Sequence, residues 1–195
     1  MNILYINCCI RNNDSRTNYI ASNFINKLLN KYKNAKIYEL KLYELNLAPL
    51  LYKDIKYRDE LIAKNNLEND YFKLANQFNK ANKIIIAAPY WDLSFPSLLK
   101  VYFEHICVNN INFKYENNNS IGLANYSSLM YISTSGGKMD IKDLDYINKI
   151  HKFLGNKDAK IFYSLNSYFD VLNENEVNKN INKTIDDFDN ILKEF

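Results

Sequence analysis

Residues 83–108 read KIIIAAPYWDLSFPSLLKVYFEHICV, and the fold turns on how this stretch divides. Lys83 to Ala88 is a nearly continuous apolar run, the pattern of a parallel strand covered on both faces. Ser97 to Val108 reads as a helix. Between them, AAPYWDLSFP (residues 87–96) holds the only Trp and two of the three prolines. A buried strand thus passes through a rigid aromatic loop into a helix.

Similar units lie on either side. Asn2 to Asn7 (NILYIN) reads as a first strand, and Ser15 to Tyr32 sets Tyr19, Ile20, Phe24, Ile25, Leu28 and Leu29 at helical spacing. Lys36 to Leu40 is a second strand, followed by a polar stretch with helical tendency from Tyr57 to Asn79 in at least two pieces. Beyond the central unit, Asn112 to Leu123 resembles a small hairpin excursion. Ser128 to Ser133 is a fourth core strand, with a helix from about Ile141 to Leu154. Lys160 to Leu165 is a fifth strand, and Glu174 to Phe195 a terminal helix. Strands separated by helices of this length predict βαβ units and a parallel sheet. Five such strands fit a doubly wound α/β sheet of flavodoxin type, order 2-1-3-4-5, with helices on both faces and ligands at the C-terminal strand edges.

The chain has 195 residues and a formal charge of +3, with 47% hydrophobic and 14% aromatic residues. That length accommodates one sizeable core, and a single domain over residues 1–195 is expected. Lysines are scattered among acidic residues, so no nucleic-acid-binding stripe is indicated. No apolar run approaches the roughly 20 residues that cross a bilayer. The first residues lack the pattern of a signal peptide. The three cysteines form neither a disulfide framework nor a CxxC metal site. A reduced, cytoplasmic protein without a metal is the economical reading.

Gly (4) and Pro (3) are scarce, while Asn, Lys, Ile and Tyr abound, a bias that fits an AT-rich coding background. Where rigid or unusual residues persist therefore carries information. Three loops that the expected topology brings to one edge hold most of them. The first, CCIRNNDSRTN, contains two of the three arginines, Arg11 and Arg16, ahead of a helix opening at Ser15-Arg16-Thr17. Free N–H groups at a helix start, with hydroxyls and guanidinium groups added, make a phosphate cradle without glycine. An ordinary N-cap with solvated arginines is the alternative. The second loop offers Tyr90 and Trp91 as flat walls for a planar ligand, or Trp91 as ordinary core. The third, Ser133 to Gly137, has two of the four glycines, expected to allow positive φ and close backbone approach, or else an ordinary turn.

Together these residues resemble the flavodoxin-like NAD(P)H-dependent oxidoreductases that include FMN-dependent azoreductases and NAD(P)H:quinone oxidoreductases. AAPYWDLSFPSLLKVYFEHI is similar to the family's AP-x-(Y/W)-(N/D)-x-x-x-P-x-x-LK block, the most specific match. CCIRNNDSRT resembles its CxR…SRT phosphate loop, NINFKYENNNSIGL its TF-x-Y…GL segment, and STSGG its (T/S)-x-GG loop. The resemblance implies that Cys8, Arg11, Ser15, Arg16 and Thr17 surround the phosphate of a bound FMN. Pro89, Tyr90, Trp91, Asp92 and Leu93 would line one side of the isoalloxazine. Thr134, Ser135, Gly136 and Gly137 would hold its opposite edge.

The resemblance further implies a homodimer that passes a hydride from NADH or NADPH through flavin N5 to a quinone, azo or similar electron-poor small molecule. The mechanism would be ping-pong, with no catalytic side chain required. An electron carrier without its own NAD(P)H oxidation, or a flavin-free binding module, are the rival readings. Asp92 stands where Asn is common, and it could serve instead as a cap for the next helix. Lys138 and Met139 stand where relatives often carry an aromatic residue. Neither His105 nor His151 has a partner by spacing that would make it catalytic. Alternation sends Cys8 and Cys9 to opposite faces, Cys8 read as the loop contact and Cys9 as packing.

Overall fold

The computed structural model describes residues 1–195. In chain order its strands are β1 (Asn2–Asn7), β2 (Lys36–Lys41), β3 (Lys83–Ala87), β4 (Phe113–Glu116), β5 (Asn119–Gly122), β6 (Ser128–Thr134) and β7 (Lys160–Asn166). The helices are α1 (Arg16–Lys31), α2 (Tyr52–Ala63), α3 (Lys73–Asn79), α4 (Ser97–Ile106), α5 (Asp145–Leu154) and α6 (Glu174–Glu194).

Five strands form a parallel sheet in the order β2-β1-β3-β6-β7, while β4 and β5 make a separate antiparallel hairpin. With the hairpin set aside, this is consistent with the expected 2-1-3-4-5. Burial explains the order. Every residue of β3 and β6 is buried, whereas β2 and β7 carry exposed positions. The continuous apolar runs are thus central strands and the mixed ones are edges.

Alternation then divides the core in two. Leu4, Ile6, Ile84, Ile86, Leu129 and Tyr131 face one way, against Phe78, Leu99, Phe103 and Ile147 from α3, α4 and α5. Ile3, Tyr5, Ile85, Ala87, Met130 and Ile132 face the other way, against α1 and α6. On that side Phe24 meets Phe188 edge-on at 5.0 Å, joining the two helices through a buried aromatic pair. Removing the Phe24 ring would cost about 3–5 kcal/mol. No helix is long and apolar enough to cross a membrane.

Two helix starts differ from expectation. α2 begins at Tyr52 rather than Tyr57, because the Asp54 carboxylate accepts a hydrogen bond from the Leu51 N–H and closes a first turn. The segment Ile141–Leu144 is a separate 3-10 turn, opened by Asp140 accepting from the Lys142 N–H, and α5 follows it.

The register sets the loops side by side. Asn7 pairs with Ala87, Ala87 with Ile132, and Thr134 with Asn166. The C-terminal ends of β1, β3, β6 and β7 therefore form one edge. β2 and β3 flank β1 on opposite sides, which makes a topological switch point at that edge.

Candidate functional site

A cleft of about 610 Å³ opens at this edge. Of the residues expected to surround a ligand, Arg11, Ser15, Arg16, Thr17, Pro89 to Leu93, and Thr134 to Gly137 all line it. Cys8 does not. It lies fully buried in the core beneath α3 to α5, and Cys9 lines the cleft instead. Alternation does send the two thiols to opposite sides of the sheet; Cys9 packs in the core as expected although it borders the cleft, and only the loop contact expected of Cys8 is not found.

The cleft's first wall is the start of α1. The Ser15 hydroxyl accepts from the Asn18 N–H at 3.2 Å, so Ser15 is an N-cap. The N–H groups of Arg16 and Thr17, one turn too early for helical partners, find no acceptor in the chain. The Thr17 and Thr134 hydroxyls share a buried 2.7 Å hydrogen bond, which ties the start of α1 to the end of β6. Burial pushes the Cys9 thiol up to about 12 and holds Cys8 well above its ordinary value. All three cysteines are free, and Cys8 and Cys9 stay protonated at neutral pH, so neither behaves as a redox thiolate.

The second wall follows β3. Tyr90 N–H donates to the Thr134 carbonyl at 2.9 Å, extending the sheet by one bridge. Trp91 and Ser94 then exchange two backbone hydrogen bonds, of 2.9 and 3.0 Å, around Asp92 and Leu93. Both central residues have positive φ, +49° and +64°, as a type I′ turn requires. This places Asp92. It occupies a left-handed position that Asn and Asp tolerate, and its side chain does not cap α4, whose N-cap is Pro96. The Asp92 and Leu93 N–H groups are left without acceptors. Trp91 is only partly buried and stands outside both core clusters, so it is not ordinary core.

The third wall is Ser135-Gly136-Gly137. Neither glycine has positive φ, contrary to expectation; space is what they provide. A Cβ on Gly136 would overlap the Asp170 carboxylate, while a Cβ on Gly137 would enter open space with nothing within 4 Å. The N–H groups of both glycines lack acceptors.

A fourth wall was not anticipated. After β7, the N–H groups of Tyr168, Phe169 and Asp170 donate to the carbonyls of Gly137, Ser135 and Gly136 at 3.0, 3.1 and 3.1 Å. Phe169 and Asp170 thereby join the cleft, as do Ile10, Asp14 and Lys138. The topology could have pointed to this loop, since β7 ends at the same edge, but its residues SYFD hold no glycine or proline. The histidines lie elsewhere. His151 meets the Tyr126 hydroxyl at 3.0 Å, its pKa lowered mainly by burial, and His105 meets the Ala48 carbonyl at 2.9 Å.

A cleft at the switch point of a doubly wound sheet, walled by the loops after four parallel strands, is the ligand site of this architecture. Residues 1–192 match the family model described as Flavodoxin-like fold. The chain belongs to this flavodoxin-like family. Its relatives include an FMN-dependent NADH:quinone oxidoreductase of Coprothermobacter proteolyticus, 30% identical over 201 aligned positions that cover 99% of this chain and 98% of the relative. Another protein of that description, from Clostridium beijerinckii, is 33% identical over 188 positions, covering 93% and 92%.

Solved structures agree in fold. The azoreductase of Bacillus anthracis str. Sterne superposes with a TM-score of 0.84 at 16% identity over all of both chains. An FMN-dependent NADH-azoreductase from Bacillus anthracis str. Ames Ancestor, solved in complex with FMN, gives 0.77 at 21% identity, covering 98% of this chain and 100% of that one. The flavodoxin-like family expected from the loop motifs is the family found.

Proposed function

We propose that this chain is an FMN-dependent NAD(P)H oxidoreductase of the quinone reductase and azoreductase type, its 195 residues forming one FMN-binding domain. The observation that carries the reading is the cleft itself. Unpaired backbone donors at both ends of one cavity, on a chain aligned over 99% of its residues with an FMN-dependent NADH:quinone oxidoreductase, match a ligand with a phosphate at one end and a polar ring at the other.

The residues present fit FMN. Arg11, Ser15, Arg16 and Thr17 would hold the phosphate, using the free N–H groups of the first turn of α1 and the guanidinium charges. Pro89 to Leu93 would form an apolar wall with the Asp92 and Leu93 N–H groups beside it. Thr134 to Gly137 would close the other edge, where the free N–H groups of Gly136 and Gly137 offer donors. When bound, FMN supplies the redox chemistry, accepting a hydride from NADH or NADPH and giving two electrons to a quinone, azo or similar acceptor. The protein's part is to bind, to orient and to offer fixed donors where negative charge gathers. The Thr17–Thr134 hydrogen bond keeps the two ends of the cleft in register.

We extend the proposal to a cytoplasmic homodimer. Free Cys8, Cys9 and Cys107 suit a reducing compartment, and exposed Leu93, Tyr168 and Val171 beside the cleft give a second copy apolar surface to cover. Purified protein should take up FMN, with absorbance near roughly 450 nm that bleaches under anaerobic NADH and returns with a quinone. Flavin uptake without NADH or NADPH oxidation would instead identify an electron carrier, and no flavin uptake a binding module.

A further inference from the structure

Asp170 sits where an incoming anion would meet Arg16. Its carboxylate lies against the Cα of Gly136, so closely that a Cβ there would fall 2.8 Å from the carboxyl carbon. Its Oδ1 is 3.4 Å from Arg16 Nη1, and both residues line the cleft. The same Nη1 donates to the Phe169 carbonyl at 3.2 Å, and the guanidinium rests 5.5 Å from the centre of the Phe169 ring. Arg16 is therefore held by three groups of one segment, and only one of them is charged.

The relative strengths decide what that charge does. The Arg16 and Asp170 side chains are 48% and 79% exposed, so their pairing contributes about 0–1 kcal/mol at most. That is too little to anchor the loop, which three backbone hydrogen bonds already fasten to Ser135, Gly136 and Gly137. It is enough to matter to a ligand. A phosphate approaching the free N–H groups of Arg16 and Thr17 must share Arg16 with a fixed negative charge and be repelled by it. An uncharged part of the same ligand meets no such cost.

We infer that Asp170 is a specificity-determining residue of the cleft, competing with the ligand's phosphate for Arg16 and so limiting preference for a phosphorylated flavin over an unphosphorylated one. The inference rests on the phosphate end proposed above, and adds that this end is deliberately weakened. Asp170→Asn is the fitting probe. It keeps the shape against Gly136 and an oxygen for Arg16 while removing the charge, and the Phe169 carbonyl and ring still position the guanidinium.

The experiment is titration of FMN and of riboflavin into the full-length wild type, Asp170→Asn, Arg16→Gln and the double variant, with melting curves to confirm folding. Asp170→Asn should bind FMN about two- to fivefold more tightly, with the gain shrinking at high salt. Riboflavin affinity should stay within about twofold, as expected when no phosphate is present to feel the charge. In the Arg16→Gln background the gain for FMN should shrink, since only the direct repulsion between Asp170 and the phosphate is left to relieve. An equal change for both flavins would mean that Asp170 contacts the shared part of the ligand, and would overturn the inference. So would weaker or unchanged FMN binding, or a gain that is undiminished without Arg16. Wild type and Asp170→Asn that both bind the two flavins equally would remove the phosphate end and the inference with it, and wild type that binds neither would overturn the proposed function as well.

Discussion

The turn Asn117–Asn118 closes the hairpin of β4 and β5, and the turn Asp92–Leu93 closes the bridge between Trp91 and Ser94 at the cleft. Their backbones nearly coincide, with φ of +50° and +64° in the hairpin and +49° and +64° at the cleft. Their residues do not. Asn is the best-tolerated non-glycine residue in the left-handed region, whereas Leu there costs about 1–2 kcal/mol. The same division runs through the chain. No glycine has positive φ, and the left-handed positions at 12, 65, 110, 117 and 118 are all Asn. The two held by neither Asn nor Asp, Leu93 and Tyr168, both stand in loops that build the cleft. The least favourable left-handed residues are confined to the loops around the cleft, and at the other such positions apart from Asp92, Asn has taken over glycine's usual task.

The largest effect expected from breaking this comparison comes from Trp91→Ala. If the cleft turn exists to present flat surface to a ligand, FMN affinity should fall at least about tenfold, roughly 1.4 kcal/mol, while stability changes by less than about 1 kcal/mol. Tyr115 offers the matching control in the hairpin, where it is exposed and packs on Phe113 at 5.5 Å. Tyr115→Ala should leave FMN binding unchanged. Titration of both variants, alongside melting curves, tests the pair. A Trp91→Ala protein that unfolds would restore Trp91 to the core.

Asn118→Val comes next. A β-branched residue at φ +64° should destabilise the hairpin and the protein by about 1–2 kcal/mol, read by urea denaturation, without altering flavin affinity. Leu93→Asn is its mirror image at the cleft. It should stabilise the fold by about 1 kcal/mol, raising the melting temperature by roughly 2–4 °C. Quinone turnover should fall if the exposed Leu93 side chain is what the strain supports. A variant more stable and equally active would mean that the strain has no purpose.

Much of this was legible in the residues. Continuous apolar runs such as KIIIAA and SLMYIS read as core strands, and once a parallel order is assumed, the loops after them share an edge. The three loops were visible because rigid or unusual residues had gathered there. What stayed hidden had no such marker. The SYFD loop brings Asp170 to Arg16 through backbone hydrogen bonds that any residues could make. Cys8 and Cys9 differ by one step along the chain, and period-two alternation says they part without saying which faces the ligand. At Gly136 the need for glycine is set by Asp170, 34 positions away in sequence and in contact only after folding.

Asp92 carries the smallest expected effect and the sharpest use of the comparison. Its role in the fold is a backbone conformation, φ +49°, that Asn meets equally well. Its carboxylate makes no salt bridge or hydrogen bond, and α4 takes no cap from it. Asp92→Asn should therefore leave stability within about 0.5 kcal/mol of wild type. Asp92→Ala, lacking the short polar side chain that eases a left-handed residue, should lose about 1 kcal/mol. Urea denaturation of the two variants separates the possibilities. Equal losses from both would give the carboxylate itself a structural role. The expected contrast would leave its charge free to act only on what enters the cleft.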